Sequence, residues 1–92
     1  MNQQAKAIYD LTKSTHDAAK LDLSSARTQI GAAQLKIRQA VSEAEKAKRQ
    51  DLAEYGVSAL NFLNSMGQAE RYSTAYGGAL DTLERHVGNV RD

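Results

Sequence analysis

Apolar side chains recur along this chain at alternating steps of four and three residues, the spacing that lines one face of a helix packed on another helix. In the middle of the chain the repeat is rich in alanine and consists of Ala26, Ile30, Ala33, Ile37, Ala40, Ala44 and Ala47. The same register extends backwards, with more polar members, through Leu23, Ala19, His16, Thr12, Tyr9 and Ala5. The pattern predicts an a/d seam between helices.

A second repeat runs to the end of the chain in the same steps: Leu52, Tyr55, Ala59, Phe62, Met66, Ala69, Ser73, Tyr76, Leu80, Leu83, Val87 and Val90. The step from Ala47 to Leu52 is five residues, so the phase slips there. A slip either changes the local supercoiling or marks the point where one helix is followed by another.

The residue types favour helix throughout. The chain has no proline, and between Gln3 and Met66 its only glycines are Gly31 and Gly56. No window alternates β-branched and aromatic residues between turn signals, so strands are not expected. We therefore predict an all-α protein: a long amphipathic helix over about residues 3–65, then one or two shorter helices over about 68–76 and 79–90. In domain terms, residues 1–66 form the long helix and residues 67–92 form a short helical segment.

Three places are candidates for the turn at which the chain folds back. Residues 64–67 resemble a helix C-terminus with Gly67 in the left-handed position, and Gly77-Gly78 within 76–79 disfavours a helix interior. The alternative is a hairpin that turns near 48–51, where the phase slips but no glycine or typical turn pair stands.

The length of the predicted helix implies a partner. About 60 helical residues span roughly 90 Å, and the remaining residues cover less than half of that length. Because a helix gains most of its stability from packing its apolar face, we expect an obligate assembly, either a homo-oligomeric bundle or coiled coil or a complex with a larger protein. The expected interface residues are Ala26, Ile30, Ala33, Ile37, Ala40, Ala44, Leu52, Tyr55, Phe62, Met66, Tyr76, Leu80 and Leu83.

Candidate chemistry is sparse. The absence of cysteine excludes disulfides, thiolate metal sites and a cysteine nucleophile. His16 and His86 have no second ligand at helical spacing, and the carboxylates alternate with Lys and Arg as ordinary helix-surface pairs. We expect no catalytic residue, no cofactor and no metal, and hence a non-enzymatic protein.

Twelve basic and eleven acidic residues leave a net charge of +1. The one local excess of positive charge is Lys36, Arg38, Lys46, Lys48 and Arg49, which could contact nucleic-acid phosphates without sequence specificity. No aromatic residue is interleaved with them, and a solvated helix face is the favoured interpretation.

The bulky residues concentrate near the second repeat: Tyr55, Phe62, Met66, Tyr72 and Tyr76. They predict either the core or a docking patch for another protein, because Tyr and Met are enriched in interfaces. No basic segment followed by an apolar run opens the chain, and no stretch reaches the length of a membrane span. The expectation is a chain without a signal peptide, located in a virion or the cytoplasm.

The Ala/Gln-rich segments Gln3-Gln4-Ala5-Lys6-Ala7, Ala18-Ala19-Lys20 and Gln29-Ile30-Gly31-Ala32-Ala33-Gln34 resemble internal virion proteins of short-tailed phages. These are small helical proteins held near the portal and ejected with the genome, and the resemblance covers about residues 1–60. It implies a structural subunit that assembles as a ring or bundle of helices. This chain departs from the pattern of that family in lacking an apolar Gly/Ala segment at its N-terminus. The alternative function is a small helical binding module, such as an inhibitor, adaptor, or secretion-system subunit or chaperone, that acts on one protein partner.

Overall fold

Four α-helices and no strand make up the computed structural model, which describes all 92 residues. They are α1 (Gln3–Leu21), α2 (Leu23–Lys46), α3 (Gln50–Gln68) and α4 (Ala75–Val87). The all-α prediction is confirmed. The prediction of one helix over 3–65 is wrong, because the longest dimension of the molecule is 36 Å, whereas that helix would span roughly 90 Å.

The first break in the predicted long helix is a single residue, Asp22, with an extended backbone (φ −159°, ψ 97°). Its carboxylate accepts hydrogen bonds from the backbone N–H of Ser25 at 3.3 Å and from Ser25 Oγ at 2.7 Å, and so caps the start of α2. Asp-x-x-Ser ahead of an apolar repeat is a recognisable N-cap signal. The prediction missed it because no proline or glycine accompanies it.

The second break occupies residues 47–49. Lys48 adopts φ 58°, the left-handed conformation that usually selects glycine after a helix. The backbone N–H of Arg49 donates to the carbonyl of Ala44 at 2.8 Å, which closes the end of α2. The alternative prediction, a turn near 48–51, therefore matches a place where the structure turns. The phase slip marks the end of one helix and the start of the next.

The other two candidate turns lie within helices. Residues 64–67 form the last turn of α3, and residues 76–79 belong to the first turns of α4. The chain instead reverses through residues 69–74, and one helix, α4, replaces the two short helices expected over 68–76 and 79–90.

The helices run alternately up and down. Arg27 at the start of α2 donates to the carbonyls of Gly67 and Ala69 at the end of α3, so these two helices are antiparallel. Tyr55 Oη near the start of α3 donates to the carbonyl of Leu83 near the end of α4 at 3.0 Å, which gives the same relation there. Helix α1 contacts all three others, whereas α2 and α4 do not touch. The result is a four-helix bundle with α2 and α4 on opposite sides.

Both apolar repeats face the interior of this one chain, except for Ala47 and Ser73, which are exposed where the chain turns. Of the thirteen residues expected at an interface with other chains, Ala40 and Tyr76 are half-buried and pack against the core. The other eleven are buried in the core itself: Ala26, Ile30, Ala33, Ile37, Ala44, Leu52, Tyr55, Phe62, Met66, Leu80 and Leu83. The two apolar repeats together form one apolar stripe along the chain. The folded-back chain covers this stripe itself, which removes the physical reason for expecting an obligate assembly.

Two glycines of the bundle provide a matched test of this packing. A Cβ at Gly56 would lie 2.5 Å from Val41 Cγ2, whereas a Cβ at Gly31 would meet nothing within 4 Å. We expect Gly56→Ala to lower the free energy of unfolding by about 1–3 kcal/mol, because the Val41 side chain or the two helices themselves must shift to admit the new methyl group. Gly31→Ala should raise it by about 0.5–1 kcal/mol through helix propensity. Urea denaturation followed by circular dichroism measures both, and equal effects would contradict the close α2–α3 approach.

The two chain ends meet beside Asp51. The carboxylate of Asp51 accepts from the backbone N–H of Arg91 at 2.9 Å and from that of Leu52 at 2.9 Å, and it is paired with Arg49 at 3.4 Å. Asn2 caps α1 through its Oδ1 and also donates from Nδ2 to the carbonyl of Arg91 at 2.8 Å. The hydrogen bond from Arg91, supported by Arg49 and Leu52, outweighs desolvation and lowers the pKa of Asp51 to about 2.

This lowered pKa predicts acid sensitivity. Asp51 stabilises the fold above its unfolded-state pKa near 4, and that contribution is lost as the pH falls through about 2. Asp51→Asn should therefore lower the melting temperature at pH 7, and the gap from wild type should narrow between about pH 4 and pH 2. Thermal melts across this pH range test it, with Asp10→Asn on the exposed face of α1 as the control. A gap that stays constant with pH would contradict the assignment.

Candidate functional site

Long stretches of α3 and of the segment leading into α4 carry no charge, although Glu54, Asp81, Glu84 and Arg85 are exposed on these two helices. Residues 55–69 and 72–80 contain no Asp, Glu, Lys or Arg, although these types make up 25% of the chain. A groove of about 560 Å³ runs between the two helices, and we call it the α3–α4 groove. Its lining residues are Ser58, Asn61, Phe62, Ser65, Ala75, Tyr76, Ala79, Thr82, Leu83 and His86.

The groove has a bulky floor and a low rim. Phe62 and Leu83 are buried at its base, and the ring of Tyr76 stands edge-on to Phe62 with 6.1 Å between ring centres. The exposed rim includes the small residues Ser65 and Ala79. Small side chains at the rim let another backbone come close to the apolar floor.

A more polar notch continues the groove at one end. This notch is about 240 Å³ and shares Ser58 and His86 with the groove; its other lining residues are Asp51, Glu54, Tyr55, Asn89 and Val90. The carboxylate of Glu54 is exposed, accepts one long hydrogen bond of 3.4 Å from Gln50 Nε2, and has no ion-pair partner. Asp51, by contrast, is paired with Arg49 and Arg91.

The other surface cavities are smaller. An apolar groove of about 290 Å³ lies between α1 and α2, with Ile8, Leu11 and Ile37 among its lining residues, and it is bordered by the charged Lys36. The exposed apolar residues Leu21, Leu35 and Val57 line none of the cavities. The α3–α4 groove is thus the largest surface cavity, and no Asp, Glu, Lys or Arg lines it.

A buried histidine joins α1 to the loop before α4. His16 Nδ1 lies 3.0 Å from Asp17 Oδ1, and His16 Nε2 lies 2.8 Å from Tyr72 Oη. Because a carboxylate only accepts, Nδ1 carries a proton and donates to Asp17, and in the neutral ring Nε2 accepts from the tyrosine hydroxyl. The salt bridge to Lys13 and the hydrogen bond from His16 lower the pKa of Asp17 below its usual value, which keeps this acceptor ionised.

The same order of acid, histidine and hydroxyl activates nucleophiles in enzymes. Here neither His16 nor Tyr72 lines any of the five surface cavities. The aromatic rings of His16 and Tyr72 pack edge-on at 5.5 Å, and Tyr72 also packs against Tyr76 at 5.8 Å. We assign to His16 the positioning of Tyr72, and through it of the Tyr76 side of the α3–α4 groove.

Tyr72→Phe tests this positioning. The change removes the hydrogen-bond partner of Nε2 in a histidine that is only 5% exposed, so we expect the free energy of unfolding to fall by about 1–3 kcal/mol. Tyr76→Phe is the control, because its hydroxyl donates to the Ser65 carbonyl at 3.3 Å in an exposed setting, and its effect should stay within about 0.5 kcal/mol. Urea denaturation of the two variants gives the comparison; equal losses would count against the buried contact.

The basic residues singled out from the sequence do not form one patch. Lys36 and Arg38 are two residues apart on α2 and so point to different sides of the helix. Lys46 lies 3.8 Å from Glu43, Lys48 is exposed in the turn, and Arg49 is engaged with Asp51 and the Arg91 carbonyl. Contact with nucleic acid stays a prediction from composition.

Of the bulky residues with two interpretations, Tyr55, Phe62 and Met66 are buried, whereas Tyr72 and Tyr76 are half-buried. The groove itself was not predicted from the sequence. Its available signal was the absence of charge from residues 55–69 and 72–80, which is visible without a structure.

The structure contains no group of three or more His, Asp or Glu side chains arranged to hold a metal ion. None of the four helices combines the length and the apolarity that crossing a membrane requires. Comparison with models of protein families, with curated proteins and with solved structures returns no match to this chain.

Proposed function

We propose that this protein is a non-enzymatic interaction module that binds one protein partner through the α3–α4 groove. The observation that carries the proposal is that the largest groove has an apolar floor and no Asp, Glu, Lys or Arg in its lining, and that most of its lining lies in the charge-free stretches 55–69 and 72–80. The cores of protein interfaces are depleted in charged residues and enriched in aromatic ones. Phe62 and Tyr76 supply aromatic surface here without any charge that binding would have to desolvate.

The groove also has the form of a helix-binding site. It is open to the surface and lies between two antiparallel helices, as in complexes where an amphipathic helix lies in an apolar groove. A metabolite site encloses most of its ligand and orients it with a few converging polar groups. The rim residues Ser65, Ala75 and Ala79 are all exposed and enclose nothing.

A virion subunit that assembles with copies of itself has less support. That hypothesis depended on an apolar stripe too long for the chain to cover, and the stripe is buried within the chain. A module that acts on one partner needs only the local surface described above. We therefore place the single-partner function ahead of the assembly subunit.

Photo-crosslinking in the organism that encodes the chain tests the proposal. A photoreactive phenylalanine analogue replaces Ser65 on the groove rim or, as the control, the exposed Gln39 on α2. We expect one heterologous adduct from position 65 and none from position 39. Ala79→Arg should abolish that adduct by placing a long charged side chain across the groove, whereas Gln39→Arg should leave it unchanged.

The other outcomes count against the proposal. Adducts of equal yield from both positions, or no adduct from either, would remove the groove as a docking surface. An adduct with the mass of two copies of this chain would instead favour the self-assembling subunit.

A further inference from the structure

We infer that the α3–α4 groove accepts an amphipathic helix of the partner that presents bulky apolar side chains to the floor and a Lys or Arg side chain to Glu54. This inference rests on the proposed function and specifies the chemistry of the occupant.

The dimensions of the channel fit a short helix. Groove and notch share Ser58 and His86, so the two cavities adjoin, and their lining on α3 extends from Ser65 to Glu54; we call them together the channel. The eleven residue steps from Glu54 to Ser65 correspond to about 16 Å of helix, or three helical turns. A helix of that length presents three or four side chains on one face, at steps of three and four residues.

The floor of the groove lies below a rim of small residues, so only bulky side chains of the occupant would reach it. Ala75 and Ala79 on one rim and Ser58 and Ser65 on the other project little, while the large residues Phe62 and Leu83 are only 7% and 6% exposed. A second copy of this chain facing the first would therefore place small residues against small residues and leave both grooves unfilled. Leucine, isoleucine or phenylalanine from a different helix would reach the floor.

The charges at the end of the channel favour a basic residue there. Among the ionised side chains that line it, Asp51 is already paired with Arg49 and Arg91, whereas Glu54 is unpaired. Arg85 on α4 forms no ion pair, and its guanidinium donates to Thr82 Oγ1 at 3.3 Å. A cation of the occupant at Glu54 gains attraction, and an acidic residue there meets repulsion.

Synthetic peptides of about 18 residues, roughly 27 Å as helices, probe this chemistry. Each is an alanine-based helix with leucines at steps of three and four residues, and each carries Lys, Gln or Glu at one end. Both ends are tried, because either orientation of the helix places one end at Glu54. Fluorescence anisotropy measures the Kd of each labelled peptide for the wild-type protein.

We expect the Lys peptide to bind about threefold more tightly than the Gln peptide at low salt, the range for an exposed ion pair, and the Glu peptide to bind most weakly. Glu54→Gln should remove the difference between Lys and Gln, whereas the control Glu43→Gln on α2 should preserve it. Ala79→Arg should weaken all three peptides by about tenfold or more.

Equal affinity for the Lys and Gln peptides, or affinity that Ala79→Arg does not change, would overturn the inference, as would the absence of binding by every peptide. If the adduct from position 65 still forms in cells, the groove remains a docking surface and only the chemistry of its occupant is wrong. If neither the adduct nor peptide binding is observed, the proposed function is overturned as well.

Discussion

An apolar stripe that must leave water, on a chain that reverses three times, is the constraint from which the rest of this structure follows. Each reversal turns the stripe back on itself, so that the faces of four helices meet inside one molecule. Two of the reversals depend on very local interactions: the cap that Asp22 provides for α2 and the left-handed backbone of Lys48.

The many small residues in the stripe shape both the inside and the outside of the bundle. Alanine buries little area, so its layers gain stability by letting helices approach closely, as Gly56 does against Val41. On the outside, the same preference for small residues leaves the rims of α3 and α4 low where they meet. Because α2 and α4 lie on opposite sides of the bundle, no other helix of the chain fills the groove between α3 and α4.

The sequence could predict the residues of the candidate site but not their arrangement. The charge-free stretches and the cluster of bulky residues are readable from the sequence, and Phe62 and Tyr76 belong to the predicted apolar repeat. Their arrangement as floor and wall depends on the antiparallel pairing of α3 with α4. The contact between His16 and Tyr72 joins residues 56 positions apart, a separation that helical periodicity does not address.

The sequence by itself determined that the chain is helical and which side chains avoid water, because residue propensity and spacing act within a few turns of one helix. Thr12 and His16, unusual as core residues, were placed in the stripe by register alone and are buried. Only the tertiary structure decided what covers the stripe. A repeat of apolar positions is equally satisfied by a neighbouring molecule or by the next helix of the same chain; in this structure the helices of the same chain cover it, and the backbone turns at Asp22 and Lys48.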